Sequence, residues 1–317
     1  MESTIGHAAD VKIARSASIK GEHVSIGPGS AIGENVTIDA KEVRIGHKVV
    51  IQSNCDFRAV CGSADLISIG DFSFIGYDTT VAAPVFVVGD YATIHNHFLV
   101  TGYKPCRIGH NSYIGRHSLL NSSEELTIGN NFRMALNGYV WTHAAAGELL
   151  EGCRFYHCTP TVIEDNVWLA GCNISISPGV RLGNGSIILM GSVVTKDTLP
   201  RHCYGGVPAR DLTDQLKPYR NVSLKEKAFM MRGFVREFIE SYGKYRDAFD
   251  FILRPGVKVR NPAARIVIVE RGAPEPIGDG VSVFSLSDKT YLKQRTEIEE
   301  AFMRFMVKAR ARFVPVE

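Results

Sequence analysis

The sequence predicts an all-β solenoid, a parallel β-helix of about nine coils, followed by a small C-terminal α/β appendage. An aliphatic residue returns at every sixth position through the first two-thirds of the chain. Extra residues enter almost only between groups of three hexads, so three hexads make one coil. Ile13 and Ile19 indicate a first coil, and eight triplets follow: Ile26, Ile32, Ile38; Ile45, Ile51, Phe57; Ile69, Ile75, Val81; Val88, Ile94, Val100; Ile108, Ile114, Leu120; Ile128, Met134, Val140; Ile163, Leu169, Ser175; Leu182, Ile188, Val194.

Each hexad is interpreted as one short strand and a turn. The periodic aliphatic points inward and stacks on its equivalents in neighbouring coils, while Gly, Asn and Asp occupy turn positions that need tight or left-handed backbone. An ordinary β-sandwich would repeat less regularly, at roughly 8–12 residues. The regular period therefore favours the solenoid.

Composition is that of an ordinary globular protein. The chain has 317 residues, 45% hydrophobic and 22% charged, with no apolar run near membrane-span length and no signal-peptide core at its start. A cytoplasmic protein is expected. The seven cysteines are odd in number and form no CxxC, which indicates reduced thiols rather than a disulfide framework or a zinc site.

The predicted domains are residues 1–211, the solenoid with a loop insertion at 143–162, and residues 212–317. In the second domain Ser223 with Glu226 forms a capping box that opens a helix over 223–243. Strands are expected at Ile266–Val269 and 281–286, and Thr296 opens a helix to about Arg312. This domain carries 20 Lys and Arg against 13 Asp and Glu from residue 217 onward. Such a bias indicates either a surface that attracts an anionic partner or, more often, a solvated basic face, and no nucleic-acid partner is expected.

Residues 163–210 carry the most specific motifs in the chain. They resemble the closing coils of the left-handed β-helix, hexapeptide-repeat acyltransferases, which include the maltose and galactoside O-acetyltransferases. The matching runs are Asn166-Val167-Trp168-Leu169-Ala170-Gly171, Ser177-Pro178-Gly179-Val180, Gly191-Ser192-Val193-Val194-Thr195-Lys196-Asp197 and Gly206-Val207-Pro208-Ala209. The resemblance implies a left-handed helix, a homotrimer with sites between subunits, acetyl-CoA as donor and a sugar or glycan acceptor.

The resemblance also implies a histidine general base, and the matching position is His143. An acceptor hydroxyl is a poor nucleophile at neutral pH, and an imidazole that takes its proton accelerates attack by about 10²–10⁴-fold. His157 in the same loop is the reserve candidate. Glu148 or Glu151 is expected to orient the imidazole.

The remaining site residues are expected at two places, and the resemblance implies Asn121 and the residues at coenzyme A. Those expected at the acceptor are Asn121, Trp141, His95 and Glu148. Those expected at coenzyme A are Trp168, Ala170, Gly171, Met190, Gly191, Thr195, Lys196 and Arg210. Met190 stands where the family has a small residue, Ala144 replaces its usual proline after the histidine, and the C-terminal appendage is atypical. These departures bear on the acceptor and leave acyl transfer intact.

Three alternatives stand beside O-acetylation. The same coils and donor serve N-acetylation of a nucleotide-linked amino sugar. A γ-type carbonic anhydrase is also a trimeric β-helix and would need three metal-binding histidines, for which the candidates are His95, His97, His110 and His117. The coenzyme A motif at Trp168 and Thr195-Lys196 argues against a carbonic anhydrase, so no metal is expected. The last alternative is a non-catalytic scaffold, against which both His143 and the donor motif argue.

Overall fold

The computed structural model describes residues 4–7, 10–253, 261–272 and 277–316, and for residues 4–7 the backbone only. The chain divides into two compact units, Met1–Tyr219 and Arg220–Glu317. The division comes later than the boundary after residue 211 expected from the sequence. The intervening residues still bond to the solenoid: Thr213 Oγ1 accepts from the N–H of Cys203, and the Tyr219 hydroxyl donates to the carbonyl of Gly185 at 2.8 Å.

The first unit is a parallel β-solenoid with three faces, which confirms the predicted fold class. Within each coil the chain passes through face 1, face 2 and face 3 in that order. Face 2 is an 11-stranded sheet, and faces 1 and 3 join into a 17-stranded sheet because strand Thr37–Ile45 turns the corner between them. Face 1 contains Thr4–His7, His23–Ile26, part of Thr37–Ile45, Ala64–Ile69, Val85–Val88, Cys106–Ile108, Leu126–Ile128, Thr161–Ile163 and Arg181–Leu182. Face 2 contains Lys12–Ile13, Ala31–Ile32, Val50–Ile51, Phe74–Ile75, Thr93–Ile94, Tyr113–Ile114, Arg133–Met134, Trp168–Ala170, Ile187–Leu189, Cys203–Gly205 and Arg210–Asp211. Face 3 contains Ser18–Lys20, the rest of Thr37–Ile45, Asp56–Arg58, Thr80–Ala82, Leu99–Thr101, Leu119–Asn121, Gly138–Val140, Ile174–Ile176 and Val193–Val194.

Stacking of the coils buries the periodic aliphatic residues. On face 2, Ile94 pairs with Ile114, Ile114 with Met134, and Met134 with Leu169, all in parallel register. These four side chains are at most 1% exposed. Strands of two or three residues cannot bury such side chains by themselves, so each coil depends on its neighbours.

One inward position was predicted wrongly. The sequence assigned it to Ser175, but Ile176 pairs with Val140 and is buried, and Ser175 faces outward. The corner before this strand contains one extra residue, so the side chains shift by one and change sides. Gly171 accommodates the altered corner with a φ of +121°.

The second unit packs helices with a five-stranded sheet. After the short helix α1 (Thr213–Leu216), which belongs to the solenoid unit, come α2 (Leu224–Ser241), a 3₁₀ turn (Gly243–Tyr245) and α3 (Glu297–Met306). The sheet order is Phe249–Ile252, Ile266–Val269, Ser282–Ser285, Thr290–Leu292, Val314–Val316. The third and fourth strands pair antiparallel, and the other pairs are parallel. The first and the last two of these strands were not predicted.

The capping box of α2 is confirmed. Ser223 Oγ accepts from the N–H of Glu226, and the Glu226 carboxylate accepts from the N–H of Ser223 at 2.8 Å. This bond and the one from Arg220 lower the pKa of Glu226 to about 2. Thr296 also caps α3, but that helix ends at Met306 rather than near Arg312. The chain must turn back there to place Val314–Val316 beside Thr290–Leu292.

No helix in the described ranges is both long and apolar enough to cross a membrane. All seven cysteines are free thiols.

Candidate active site

His143 lies at the corner where face 3 passes into face 1. Strand Gly138–Val140 leads into this corner, and strand Leu119–Asn121 leads into the equivalent corner one coil earlier, with Leu120 paired to Val140. Neighbouring coils stack about 4.8 Å apart. The register therefore places the end of one strand, Asn121, directly beside the residues that follow the next.

A hydrogen bond joins the two residues. Nδ1 of His143 lies 2.8 Å from Oδ1 of Asn121. The Asn121 amide nitrogen donates to the carbonyl of Thr101 at 3.1 Å, and its oxygen also accepts from the hydroxyl of Thr142 at 2.8 Å. The oxygen of Asn121 therefore faces the ring, so Nδ1 of His143 must be the donor. Nε2 then carries the free lone pair, which is the form a general base requires.

The surroundings hold Asn121 rigidly and leave the ring accessible. Asn121 is 3% exposed and Thr142 is buried, while His143 is half-buried. The Thr142 hydroxyl accepts from the N–H of Glu124 at 3.0 Å, and Trp141 meets the His143 ring edge-on with 6.4 Å between centroids. Thr142 and Glu124 were not predicted from the sequence. Their part depends on contacts between coils, and no local motif indicates it.

The hydrogen-bond partner of the His143 ring is Asn121, whereas the sequence suggested Glu148 or Glu151. Asn121, expected at the acceptor, bonds to the ring, and the loop residues Glu148 and Glu151 are exposed. Among the described residues, neither glutamate is hydrogen-bonded to His143. The loop contains few buried groups and holds its carboxylates in solvent, whereas Asn121 is placed by the solenoid itself.

The loop insertion begins and ends as a short antiparallel pair. His143 pairs with Cys158, and Ala144 pairs with His157. Directly opposed residues point to the same side of a β-pair and successive residues to opposite sides. His157 therefore points away from the side occupied by His143, and it is exposed beside Phe155.

The first group of expected donor-binding residues lies on face 2 and at the corner that follows it. Trp168 is 50% exposed and stands in register between Arg133 and Ile187. Met190, one coil later, is 65% exposed. A Cβ on Gly171 would come within 2.6 Å of the Met190 Cβ, so glycine is needed where these corners approach. Ala170 is half-buried at the end of its strand, and the N–H of Gly191 donates to the carbonyl of Cys172 at 3.0 Å.

The second group lies on the His143 corner. Val140, Ile176 and Val194 form one column of face 3, and Thr195 and Lys196 follow its last strand, both exposed. They are two coils from His143, or about 10 Å along the axis.

Two further expected residues lie elsewhere. Arg210 is exposed in a strand that folds back on Cys203–Gly205. His95 lies at the corner between faces 2 and 3 against Tyr113, with 5.0 Å between the ring centroids. Burial first, and then Arg116, lower its pKa. In one copy of the chain, His143 lies at the corner between faces 3 and 1, whereas Trp168 lies on face 2.

The histidines proposed for a metal site do not converge in one copy. His97 and His117 stack with 4.7 Å between centroids at the corner after face 2, whereas Nδ1 of His110 accepts from the N–H of Asp90 at the corner before it. In the part of the chain that the structure describes, no group of three His, Cys, Asp or Glu side chains is placed to hold a metal ion.

Comparison with known proteins gives the same picture of the solenoid. Residues 160–196 match the family described as hexapeptide repeat of succinyl-transferase. The chain is 36% identical to the galactoside O-acetyltransferase of Escherichia coli K12 over 117 residues, which cover 35% of this chain and 57% of that protein. It is 30% identical to the bifunctional protein GlmU of Syntrophomonas wolfei over 180 residues, covering 57% of this chain and 32% of that protein. The chain thus spans less than two-thirds of either relative.

Among solved structures, a hexapeptide-repeat acetyltransferase of Vibrio cholerae, crystallised with acetyl-coenzyme A, is 23% identical. The match covers 45% of this chain and 68% of that one, with a TM-score of 0.31. The hexad period, the stacked three-faced coils and the matched repeat agree with one another. The solenoid of this chain is thus similar to the hexapeptide-repeat acetyltransferases and has their left-handed β-helix fold.

Proposed function

We propose that the solenoid is an acetyl-CoA-dependent O-acetyltransferase that acts on a hydroxyl of a sugar or oligosaccharide. The observation that carries the proposal is the bond between His143 and Asn121, which leaves Nε2 of the imidazole free to accept a proton. The acceptor class is supported by the named activity of the galactoside relative.

In the proposed reaction His143 moves one proton in each direction. Nε2 takes the proton of the acceptor hydroxyl as its oxygen attacks the acetyl carbonyl, and the acetyl–sulfur bond then breaks. The imidazolium returns the proton to the departing sulfur, which leaves as the free thiol of coenzyme A. Throughout the reaction the side-chain oxygen of Asn121 accepts a hydrogen bond from Nδ1–H of His143. This bond holds the orientation of the ring and stabilises its charged form.

We also propose that the site is completed by a neighbouring subunit of a homotrimer. His143, Thr195 and Lys196 lie on one corner, whereas Trp168 and Met190 project from another part of the prism. Packing of prisms side by side brings the His143 corner of one copy against the exposed Trp168 of the next. Trp168 then packs on the donor's pantetheine arm, and Lys196 supplies positive charge for a phosphate.

Acetyl-CoA binding and slow hydrolysis by the purified protein test the proposal, with calorimetry for affinity and thiol release for turnover. Wild type and His143→Ala should bind alike, and hydrolysis should be about 10²–10⁴-fold slower in His143→Ala. Trp168→Ala should raise the Kd about tenfold, in line with a lost aromatic contact of roughly 1.4 kcal/mol. His157→Ala is the matched control, and it should hydrolyse at the wild-type rate.

The outcomes separate the alternatives. No binding by any variant sinks the acyltransferase proposal, and binding with hydrolysis unchanged in His143→Ala removes His143 as the base. A panel of sugars and nucleotide-linked amino sugars, analysed by mass spectrometry, then distinguishes an ester product from an amide product.

The shared site is tested by mixing variants. Co-expressed His143→Ala and Trp168→Ala chains form mixed trimers, in which about a quarter of the interfaces combine an intact His143 with an intact Trp168 from the adjacent copy. Recovery of about a quarter of the activity supports the shared site. No recovery, with mixed trimers verified, would show that one chain supplies both residues.

A further inference from the structure

The C-terminal unit contains a cavity of about 300 Å³ between α2, the turn before strand Thr290–Leu292 and the chain leading to the last strand. Seven of its ten lining residues are apolar, among them Met231, Phe234 and Phe313. The other three, Lys227, Lys289 and Arg310, are all cations. Small-molecule pockets run from about 300 to 1,000 Å³, so this cavity has room for a small ligand.

Among these three cations, Lys289 is the one whose positive charge is disfavoured by its surroundings. Its Nζ lies 3.8 Å from the centroid of the Phe313 ring, and within the described ranges no salt bridge involves it. Desolvation first, and then the charges of Lys227 and Arg312, lower its pKa to about 7. Arg310 differs, because two of its nitrogens already bond to the Glu237 carboxylate at 2.9 and 3.0 Å.

Lys289 also has a backbone conformation that is unusual for a lysine. Its φ is +59°, in the left-handed region that glycine and asparagine occupy at least cost. The N–H of Lys289 donates to the carbonyl of Ser285, and its own carbonyl accepts from the N–H of Val314. These two backbone hydrogen bonds hold Lys289 at the cavity, although glycine or asparagine would adopt this turn at a lower cost.

We propose that the cavity binds a small amphipathic carboxylate, with its apolar tail against the methionine and phenylalanine side chains and its head on Lys289. A bound carboxylate would compensate the Lys289 ammonium for the hydration that it loses at the cavity. A monoanion fits better than a phosphate ester, because Arg310 is already neutralised and the lining is mostly apolar. The site lies wholly within the second unit and is independent of acyl transfer by the solenoid.

Hexanoate, titrated into the full-length protein by calorimetry, is the probe. Lys289 should be about half protonated at pH 7 when the site is empty and fully protonated when it is filled. Binding should therefore be about tenfold tighter at pH 6 than at pH 8, with about one proton taken up at pH 8, measured in two buffers of different ionisation enthalpy. The other charged groups around Lys289 are Lys227, Arg310 and Arg312, and the Glu237 carboxylate is bonded to Arg310.

Variants separate this site from unspecific binding. Lys289→Met keeps the volume but removes the charge, and it should weaken hexanoate at pH 6 at least tenfold and abolish proton uptake while leaving the affinity for hexan-1-ol unchanged. Lys244→Met, which alters an exposed lysine of the same unit, is the matched control and should bind hexanoate like wild type. Ala311→Leu, which narrows the cavity, should weaken both ligands.

Two results would overturn the proposal. One is the absence of hexanoate binding to wild type at either pH. The other is equal binding by wild type and Lys289→Met, which would place hexanoate elsewhere. Retained hexan-1-ol binding by Lys289→Met shows that the variant is folded; if it is not retained, Ala311→Leu decides, and full hexanoate affinity in that variant refutes the cavity.

Discussion

Replacement of Asn121 by alanine tests whether this side chain acts through His143. The change removes the oxygen that accepts from Nδ1 of the ring at 2.8 Å and leaves His143 itself in place. Without that acceptor, the imidazole is free to carry its proton on Nε2 instead, and this form cannot act as the base.

The expected loss follows from the bond and the geometry. A neutral hydrogen bond contributes about 0.5–1.5 kcal/mol, which corresponds to roughly 2- to 12-fold in rate. Loss of the fixed ring orientation adds to this, so we expect the rate to fall about 10- to 100-fold. Removal of the base itself should cost more, about 10²–10⁴-fold. Because Asn121 is buried and also bonds to Thr142, the variant should in addition lose about 1–3 kcal/mol of stability.

The assay is the rate of acetyl-CoA hydrolysis at saturating donor, well below the unfolding temperature measured for each variant. We expect Asn121→Ala to lie between wild type and His143→Ala, with an unchanged Kd for acetyl-CoA. The double variant should be no slower than His143→Ala, because a residue that acts through another contributes nothing once that residue is gone.

An additive loss in the double variant would refute this reasoning. So would a variant that hydrolyses acetyl-CoA at the wild-type rate. Either result would return Asn121 to the acceptor-binding role expected from the sequence.

Three other features lead to direct tests. Gly171→Ala should destabilise the solenoid by at least about 2 kcal/mol in urea unfolding, because it combines a left-handed backbone with a clash at 2.6 Å; Gly191→Ala, with nothing within 4 Å, should lose less, and equal losses would contradict the packing argument. The capping box should stabilise α2 above pH 4.5, and this stabilisation should disappear as the pH falls toward 2, because folding lowers the pKa of Glu226. The helical circular dichroism signal should therefore depend less on pH in Glu226→Gln than in wild type. An unchanged pH profile would assign the dependence to other groups. In the native protein a thiol reagent should label the exposed Cys61 and spare Cys106, because burial raises the pKa of Cys106 to about 12; rapid labelling of Cys106 would show that the coils open.

The solenoid was predictable because its information is local and repeated. A hexad places one aliphatic side chain inward whatever the neighbouring coil contains, and many equivalent copies reinforce the period. Where one extra residue entered a corner, at Ser175, the prediction failed by one position. Helix α2 was equally readable, since Ser223 and Glu226 lie within one turn and satisfy each other's backbone.

The strands of the second unit were harder to predict, because each has only three or four residues and owes its pairing to distant segments. Val314–Val316 contains a proline and forms a strand only because Thr290–Leu292 lies beside it. The end of α3 has the same cause. Lys289 likewise reads in the sequence as one charge among many.

By itself, the amino-acid sequence determined the coiled fold, the two-part organisation and His143 as the candidate base, since each depends on a period or a motif of adjacent residues. Only the tertiary structure decided which group bonds to the ring of His143 and which cations meet in the second unit. Asn121 and His143 are 22 positions apart in sequence, and the stacking of successive coils brings them to 2.8 Å. Contacts of this kind depend on register between coils and on burial, which arise when the whole chain packs.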